Sequence, residues 1–226
     1  MINPRFVYSI LLILLISFNQ HSQQNRRVIT TAVPFLLISS DARASGLGDQ
    51  GVSTSTDNFS QHWNQSKYLF SESNSGIGFS YTPYLSSVVS DVFLGNLTYF
   101  KRRSERSVWS FSLKYFSLGE IDILQNPLDI PIVESPNEFT IDAGYGLKLS
   151  DNFSLGITGR FLLSDVKLTS FSGETEVATS FVVDISGFFQ SNTFQLGKND
   201  AVYRAGFNIS NIGPKMKYSD LGEENF

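Results

Sequence analysis

The chain has 226 residues, a net charge of −4, two histidines and no cysteine. The charge balance lacks the basic excess of nucleic-acid binders, so no nucleic-acid partner is expected. Without cysteine there is no disulfide, thiolate zinc site or cysteine nucleophile. Charged residues are 17%, against about 25% in an average soluble domain, while aromatics reach 14%. Low charge with many aromatics and glycines suggests a β-rich protein in an unusual solvent.

The N-terminus is built as an export address. Arg5 gives a short basic start, residues 6–18 form a nearly continuous apolar run, and 19–23 are polar. This is the pattern of a signal peptide, assigned to residues 1–23 with cleavage near 22–24. The run is shorter than the roughly 20 apolar residues of a membrane-spanning helix. No cysteine follows it, so no lipoprotein anchor is expected.

Residues 24–75 do not alternate and are read as a non-strand segment packing at or in a β-barrel. Within it Gly46, Gly48 and Gly51 match a G-x-G-x-x-G string. A dinucleotide fingerprint needs a preceding strand and a following helix in a βαβ unit. A polar stretch and a Ser/Thr run stand there instead, so the glycines are read as allowing a close-packed path. His62, the one histidine of the exported chain, is read as a hydrogen-bonded packing residue rather than a general base. No Ser–His–Asp, H-E-x-x-H or phosphate-loop pattern accompanies it. No catalytic set, cofactor or metal is therefore expected.

From residue 76 onward the chain alternates with period two, as half-buried strands do. Seven strands are expected, at 76–85, 92–101, 108–116, 139–149, 153–163, 177–190 and 203–210. Trp109, Phe111, Leu113 and Tyr115 share one face, and Ser110, Ser112 and Lys114 the other. In 153–163 only Leu162 breaks the rule. Most segments run near the roughly 9–11 residues of a transmembrane strand, beyond the usual 5–6 of soluble ones. The polar faces hold Gly, Ser and Thr with a sparse ionic set: Lys114, Asp142, Lys148, Arg160, Asp184 and Arg204. Both signs suit a barrel lumen, and the apolar faces suit lipid. Tyr99, Phe100, Trp109 and Phe153 are candidate interface girdles.

Connections alternate between short (102–105, 150–152) and long (119–136, 165–176), as in barrels with tight turns at one rim and loops at the other. The link 191–200 is moderately long where a short one is due. The competing reading is a soluble sandwich with the apolar faces as its core.

Several strings carry a family resemblance. Residues 32–52, with Pro34, Phe35, Asp41, Arg43, Gly46, Gly48 and Gly51, closely resemble the opening of the PorV family, outer-membrane barrels of the Bacteroidetes type IX secretion system. The likeness continues through 59–68 with Asn64, and through 80–85, 91–99 and 113–121. One departure is Asn64-Gln65-Ser66, where the family usually has Asn-Pro-Ala.

The resemblance implies a FadL-like antiparallel transmembrane β-barrel of about fourteen strands. The barrel would occupy residues 76–226 here and be incomplete at the C-terminus. It also implies a role in protein export, with four kinds of partner: outer-membrane lipid, a giant translocon barrel, cargo bearing C-terminal sorting domains and the surface attachment complex. The loop 119–136 offers Asp122, Ile123, Asp129, Ile130, Ile132 and Glu134 as partner contacts. The alternative function is a FadL-like transporter of hydrophobic small molecules.

Overall fold

A computed structural model describes residues 33–124, 130–166, 177–219 and 222–224. The expected leader at 1–23 and the loop residue Asp129 lie outside the described residues.

All seven expected strands form. They are β1 (Ser75–Pro83), β2 (Val92–Ser104), β3 (Ser107–Leu118), β6 (Asn137–Lys148), β7 (Phe153–Asp165), β8 (Ala178–Gln190) and β11 (Arg204–Ile212). Together they make one antiparallel sheet in the order β1-β2-β3-β6-β7-β8-β11. The long connections carry small hairpins: β4 (Ile121–Ile123) with β5 (Ile132–Glu134), and β9 (Phe194–Leu196) with β10 (Asn199–Ala201). The latter explains the overlong link at 191–200, which holds a folded excursion. A last pair, β12 (Met216–Ser219) with β13 (Gly222–Glu224), follows. Among the described residues the sheet does not close: β1 and β11 are its edges. The barrel, expected here only in part, is not confirmed by this open sheet, and the architecture is an antiparallel all-β wall.

The two faces of the wall are inverted relative to a water-soluble protein. The outer face leaves Ile77, Phe79, Leu97, Phe111, Ile141, Ile157, Phe181 and Ile209 exposed, Phe79 to 71%. The inner face buries Asn96, Thr98, Ser112, Thr140, Asp142, Thr158, Arg160 and Asp184. A soluble sandwich with the apolar faces as its core would bury the first set, which is exposed among the described residues.

Aromatics gather on the outer face toward both rims. Tyr81, Phe93 and Tyr115 form a row near the long loops, with ring centroids 5.2 and 5.9 Å apart. Trp109 packs on Tyr145 at 4.8 Å near the short turns, and Tyr99 is also exposed there. Phe100 corrects an expectation. Adjacent strand residues face opposite ways, so with Tyr99 outward Phe100 points inward, where it is 1% exposed and stacks on Tyr68 at 4.3 Å.

Residues 33–74 contain no strand and lie along the inner face. They comprise a 3-10 turn Pro34–Leu37, a short helix Ala42–Gly46, a helical turn Ser60–Trp63 and a 3-10 stretch Gln65–Phe70. Two apolar clusters fasten the segment. At the long-loop rim Val33, Phe35 and Leu36 pack with Leu94, Leu162, Ala178 and Met216. Leu162, the exception to the alternation, is thus one of the wall's contributions to that cluster, with Leu94 and Ala178. At the short-turn rim Tyr68 and Leu69 pack with Phe100 and Val108.

Between the clusters the wall makes room with glycines. A Cβ at Gly144 would lie 2.6 Å from Ser110 Oγ and 2.7 Å from Gln65 Cγ. At Gly156 it would run into Gln65 Oε1, and into Ser66 N at 3.1 Å. At Gly206 it would meet Val52 O at 2.6 Å. These strand glycines form a shallow track for the segment, which is one use of a missing Cβ.

Candidate functional site

The family-motif residues organise the inner segment. Pro34 opens the 3-10 turn, where its missing N–H costs no bond. Asp41 caps the next helix: its Oδ1 accepts from Ala44 N at 2.8 Å. Arg43 reaches forward to Asp57 Oδ2 at 2.7 Å, to Ser55 Oγ at 2.8 Å and to Ser55 O at 3.2 Å. Gly46 ends the helix, and Gly48 turns the chain with φ +73°. Gly51 lies against the Trp63 ring so closely that a side chain would overlap it. A short helix precedes these glycines rather than a strand, so the string has no dinucleotide context.

Asn64 ties the segment to itself and to the wall. Its Nδ2 donates to Val52 O at 3.0 Å and to Gly187 O at 2.9 Å, while its Oδ1 accepts from Ser66 N at 3.1 Å. Ser154 Oγ on β7 donates to Ser66 O at 2.9 Å, and Thr98 Oγ1 on β2 donates to Asn58 O at 2.7 Å. Tyr68 is fully buried; its hydroxyl accepts from Gln61 N and donates to Asn58 O. Burial pushes its phenol pKa up. Lys67 is also fully buried, with Nζ donating to Gly51 O at 2.8 Å and Thr54 Oγ1 at 3.1 Å. Burial brings its ammonium down to about 8.

Of the six ionic residues expected on the inner face, four come together. Asp142 and Arg160 are cross-strand partners on β6 and β7. Arg160 Nε donates to Asp142 Oδ1 at 2.9 Å, and Nη2 to Asp184 Oδ2 at 3.0 Å. Nη1 donates to Asn211 Oδ1 at 2.5 Å, Ser112 Oγ to Asp142 Oδ2 at 2.9 Å and Asn211 N to Asp184 Oδ1 at 2.6 Å. Lys114 stands beside this cluster, with Nζ 3.0 Å from His62 Nδ1.

The other two ionic residues do not join. Lys148 lies at the short-turn rim, partly buried, 4.9 Å over the Phe70 ring. Arg204 is exposed on the edge strand and bonds Gln190 Oε1 at 2.8 Å.

Sequence reasoning missed Asn211 and left the partner of His62 unnamed. His62, read as a hydrogen-bonded packing residue, has its Nδ1 3.0 Å from Lys114 Nζ and stacks edge-on to Trp63 at 4.6 Å. Burial, the Lys114 ammonium and the Arg160 guanidinium hold its imidazole well below its usual range. Asn211 sits at a bulge in β11 between Ile209 and Ile212, with φ 59°. An Asn at a left-handed position was the available signal. A cavity of about 180 Å³ opens between the cluster, His62, Trp63 and β11.

The loop candidates are displayed rather than buried. Asp122 and Ile123 lie on β4, Ile132 and Glu134 on β5, and Ile130 beside them is 89% exposed. Leu124, Ile132 and Val133 are exposed as well.

A β-wall that is apolar outside, polar within and ringed by aromatics has the build of a strand-type membrane protein. Residues 21–226 match the family described as type IX secretion system protein PorV, and the chain belongs to that family. The family places it among secretion-system components, which interact with one another, and suggests an outer-membrane location. No curated protein gave a match.

Proposed function

We propose that this wall is part of an outer-membrane β-barrel and that the protein serves type IX secretion by docking, without catalysis. In this reading the edges of β1 and β11 pair with further wall, since unpaired N–H and C=O groups find no water in a bilayer. The segment 33–74 then occupies the lumen. The barrel binds the giant translocon, receives cargo carrying C-terminal sorting domains and passes it to the surface attachment complex.

The observation that carries the membrane part is the inversion itself: exposed Phe79, Phe111 and Ile157 against buried Asp142, Arg160 and Asp184. Family membership carries the secretion part. The exposed isoleucines of the β4–β5 hairpin supply a surface for protein contact.

The test is affinity purification of the tagged protein from native outer membranes. Co-purification of a giant barrel and sorting-domain cargo supports docking. Recovery of the protein alone, with lipid or hydrocarbon inside it, moves the assignment to a FadL-like transporter.

A further inference from the structure

The charges around the central cavity are not evenly satisfied. Every carboxylate oxygen there is engaged: both oxygens of Asp142 by Arg160 and Ser112, and both of Asp184 by Arg160 and the Asn211 N–H. Lys114, 5% exposed, has no ion-paired carboxylate among the described residues. Its one hydrogen-bonded neighbour among the described residues is His62 Nδ1. With Lys114 as an ammonium, which has only donors, Nδ1 accepts and the ring proton is assigned to Nε2. Spare capacity around Lys114 and His62 is donor capacity, two ammonium protons and the imidazole Nε2–H, while one acceptor on the same cavity, Asn208 Oδ1, also has no partner among the described residues. The Trp63 indole N–H is likewise buried without a partner among the described residues. Lys114, His62 and Trp63 all line the same cavity, beside the apolar Leu36, Leu37 and Val52. A buried cation flanked by unused donors and open volume is the recognition pattern for an anion, because leaving it unpaired is costly.

We propose that the cavity binds one small monovalent anion, a halide or a short carboxylate, with Lys114 as its charged ligand and His62 as a second donor. About 180 Å³ suits a few heavy atoms and no long alkyl chain. The bound anion bridges β3 to the inner segment and so strengthens the seating of 33–74 on the wall. The inference is independent of the secretion role.

The test uses protein purified in detergent from its own outer membrane. Chloride, formate and acetate are titrated separately at constant ionic strength, with gluconate as the balancing anion. The thermal midpoint and isothermal titration are the readouts. Saturable binding in the millimolar range is expected, with Lys114→Met raising Kd at least about tenfold, the equivalent of roughly 1.4 kcal/mol. His62→Phe keeps the ring against Trp63, removes the donor and raises Kd severalfold. Saturation by chloride identifies a halide site; saturation by the carboxylates alone identifies a carboxylate site. A midpoint that follows total salt irrespective of the anion overturns the proposal, as does unchanged binding in Lys114→Met. Should that variant fail to fold, unchanged affinity in His62→Phe overturns it equally.

Discussion

Asp142 and Arg160 face each other across β6 and β7, and their side chains meet at 2.9 Å with both residues about 5% exposed. One guanidinium thereby bridges two carboxylates and, through Asn211, holds the bulge of the edge strand. Removing a single partner from such a buried set leaves uncompensated charge, at a cost of about 3–5 kcal/mol. Arg160→Met should destabilise by that order, read as a fall in the urea midpoint of the purified protein. Arg160→Lys should recover only part, because an ammonium cannot replace the forked donors that reach Asp142 and Asp184 together. Full stability in Arg160→Met would show that the cluster is a bystander.

The outer face gives a test of the solvent it meets. Ile141 lies mid-strand on β6, exposed, between Leu113 and Phe161 in register. In water an exposed Ile→Lys change is worth within about ±0.5 kcal/mol. At the midplane of a bilayer a lysine costs about 2–4 kcal/mol. Ile141→Lys should therefore reduce recovery in the outer membrane and lower stability in lipid vesicles. A neutral effect in vesicles would contradict the membrane assignment.

Much of the wall was legible in the sequence because a strand's two faces see different surroundings, and that difference is written with period two. Residues 139–149 and 153–163 matched β6 and β7 to within a few residues for this reason. The same rule explains the errors. Phe100 was assigned to the lipid side on residue type alone, though its parity with Thr98 placed it inside. Leu162 looked like an irregularity because its partners, Phe35 and Leu36, lie over a hundred positions earlier in a segment without periodicity. That segment takes its path from the glycine track and from contacts such as Asn64 with Gly187 O, which no local pattern encodes. His62 reads as a hydrogen-bonded packing residue, but its partner Lys114 is 52 residues away, which no local pattern names.

The glycine track makes a coupled prediction. A Cβ on Gly156 would overlap Gln65 Oε1 and press on Ser186 Oγ at 2.9 Å and Ser66 N at 3.1 Å. Overpacking of this kind costs about 1–3 kcal/mol. Gly156→Ala should loosen the inner segment, seen as faster proteolysis within 33–70. Gln65→Ala in the same chain should restore part of the protection, leaving the Ser66 contact uncorrected. Contacting residues give such non-additive effects. Strict additivity of the two changes would refute the proposed fit.

Lys67 sets a pH dependence whose sign follows from its burial. Its pKa falls from 10.5 to about 8 in the folded chain. Between those values the unfolded chain binds more protons than the folded one, so stability rises with pH. Below about pH 8 both states hold the proton and the contribution is flat. Above about pH 10, Tyr68 acts oppositely: the unfolded phenol ionises while the buried one is held protonated, and stability falls. Unfolding followed from pH 7 to 10 should show the rise, which Lys67→Met should flatten. A wild-type profile without it would mean that Lys67 is reached by water.

The β4–β5 hairpin separates docking from folding. Its strands pair with each other, and Leu118 N donates to Pro136 O at its base, so the wall does not depend on its tip. Ile130, Ile132, Leu124 and Val133 are nonetheless exposed, and Asp122 accompanies them on β4. Replacing residues 124–134 by a short Gly-Ser link should leave the protein's membrane level and heat-modifiable migration unchanged. If the apolar tip docks a partner, surface delivery of sorting-domain cargo should fall on the order of tenfold, corresponding to about 1.4 kcal/mol of lost contact. Cargo should then accumulate on the inner side of the membrane. Single changes divide the effect by chemistry: Ile130→Ser and Ile132→Ser should each reproduce part of it, and Asp122→Asn should slow assembly mainly at low salt, where a rim charge steers encounter. Normal delivery by a correctly inserted deletion variant would remove this hairpin from the docking surface and direct the search to the other long connection.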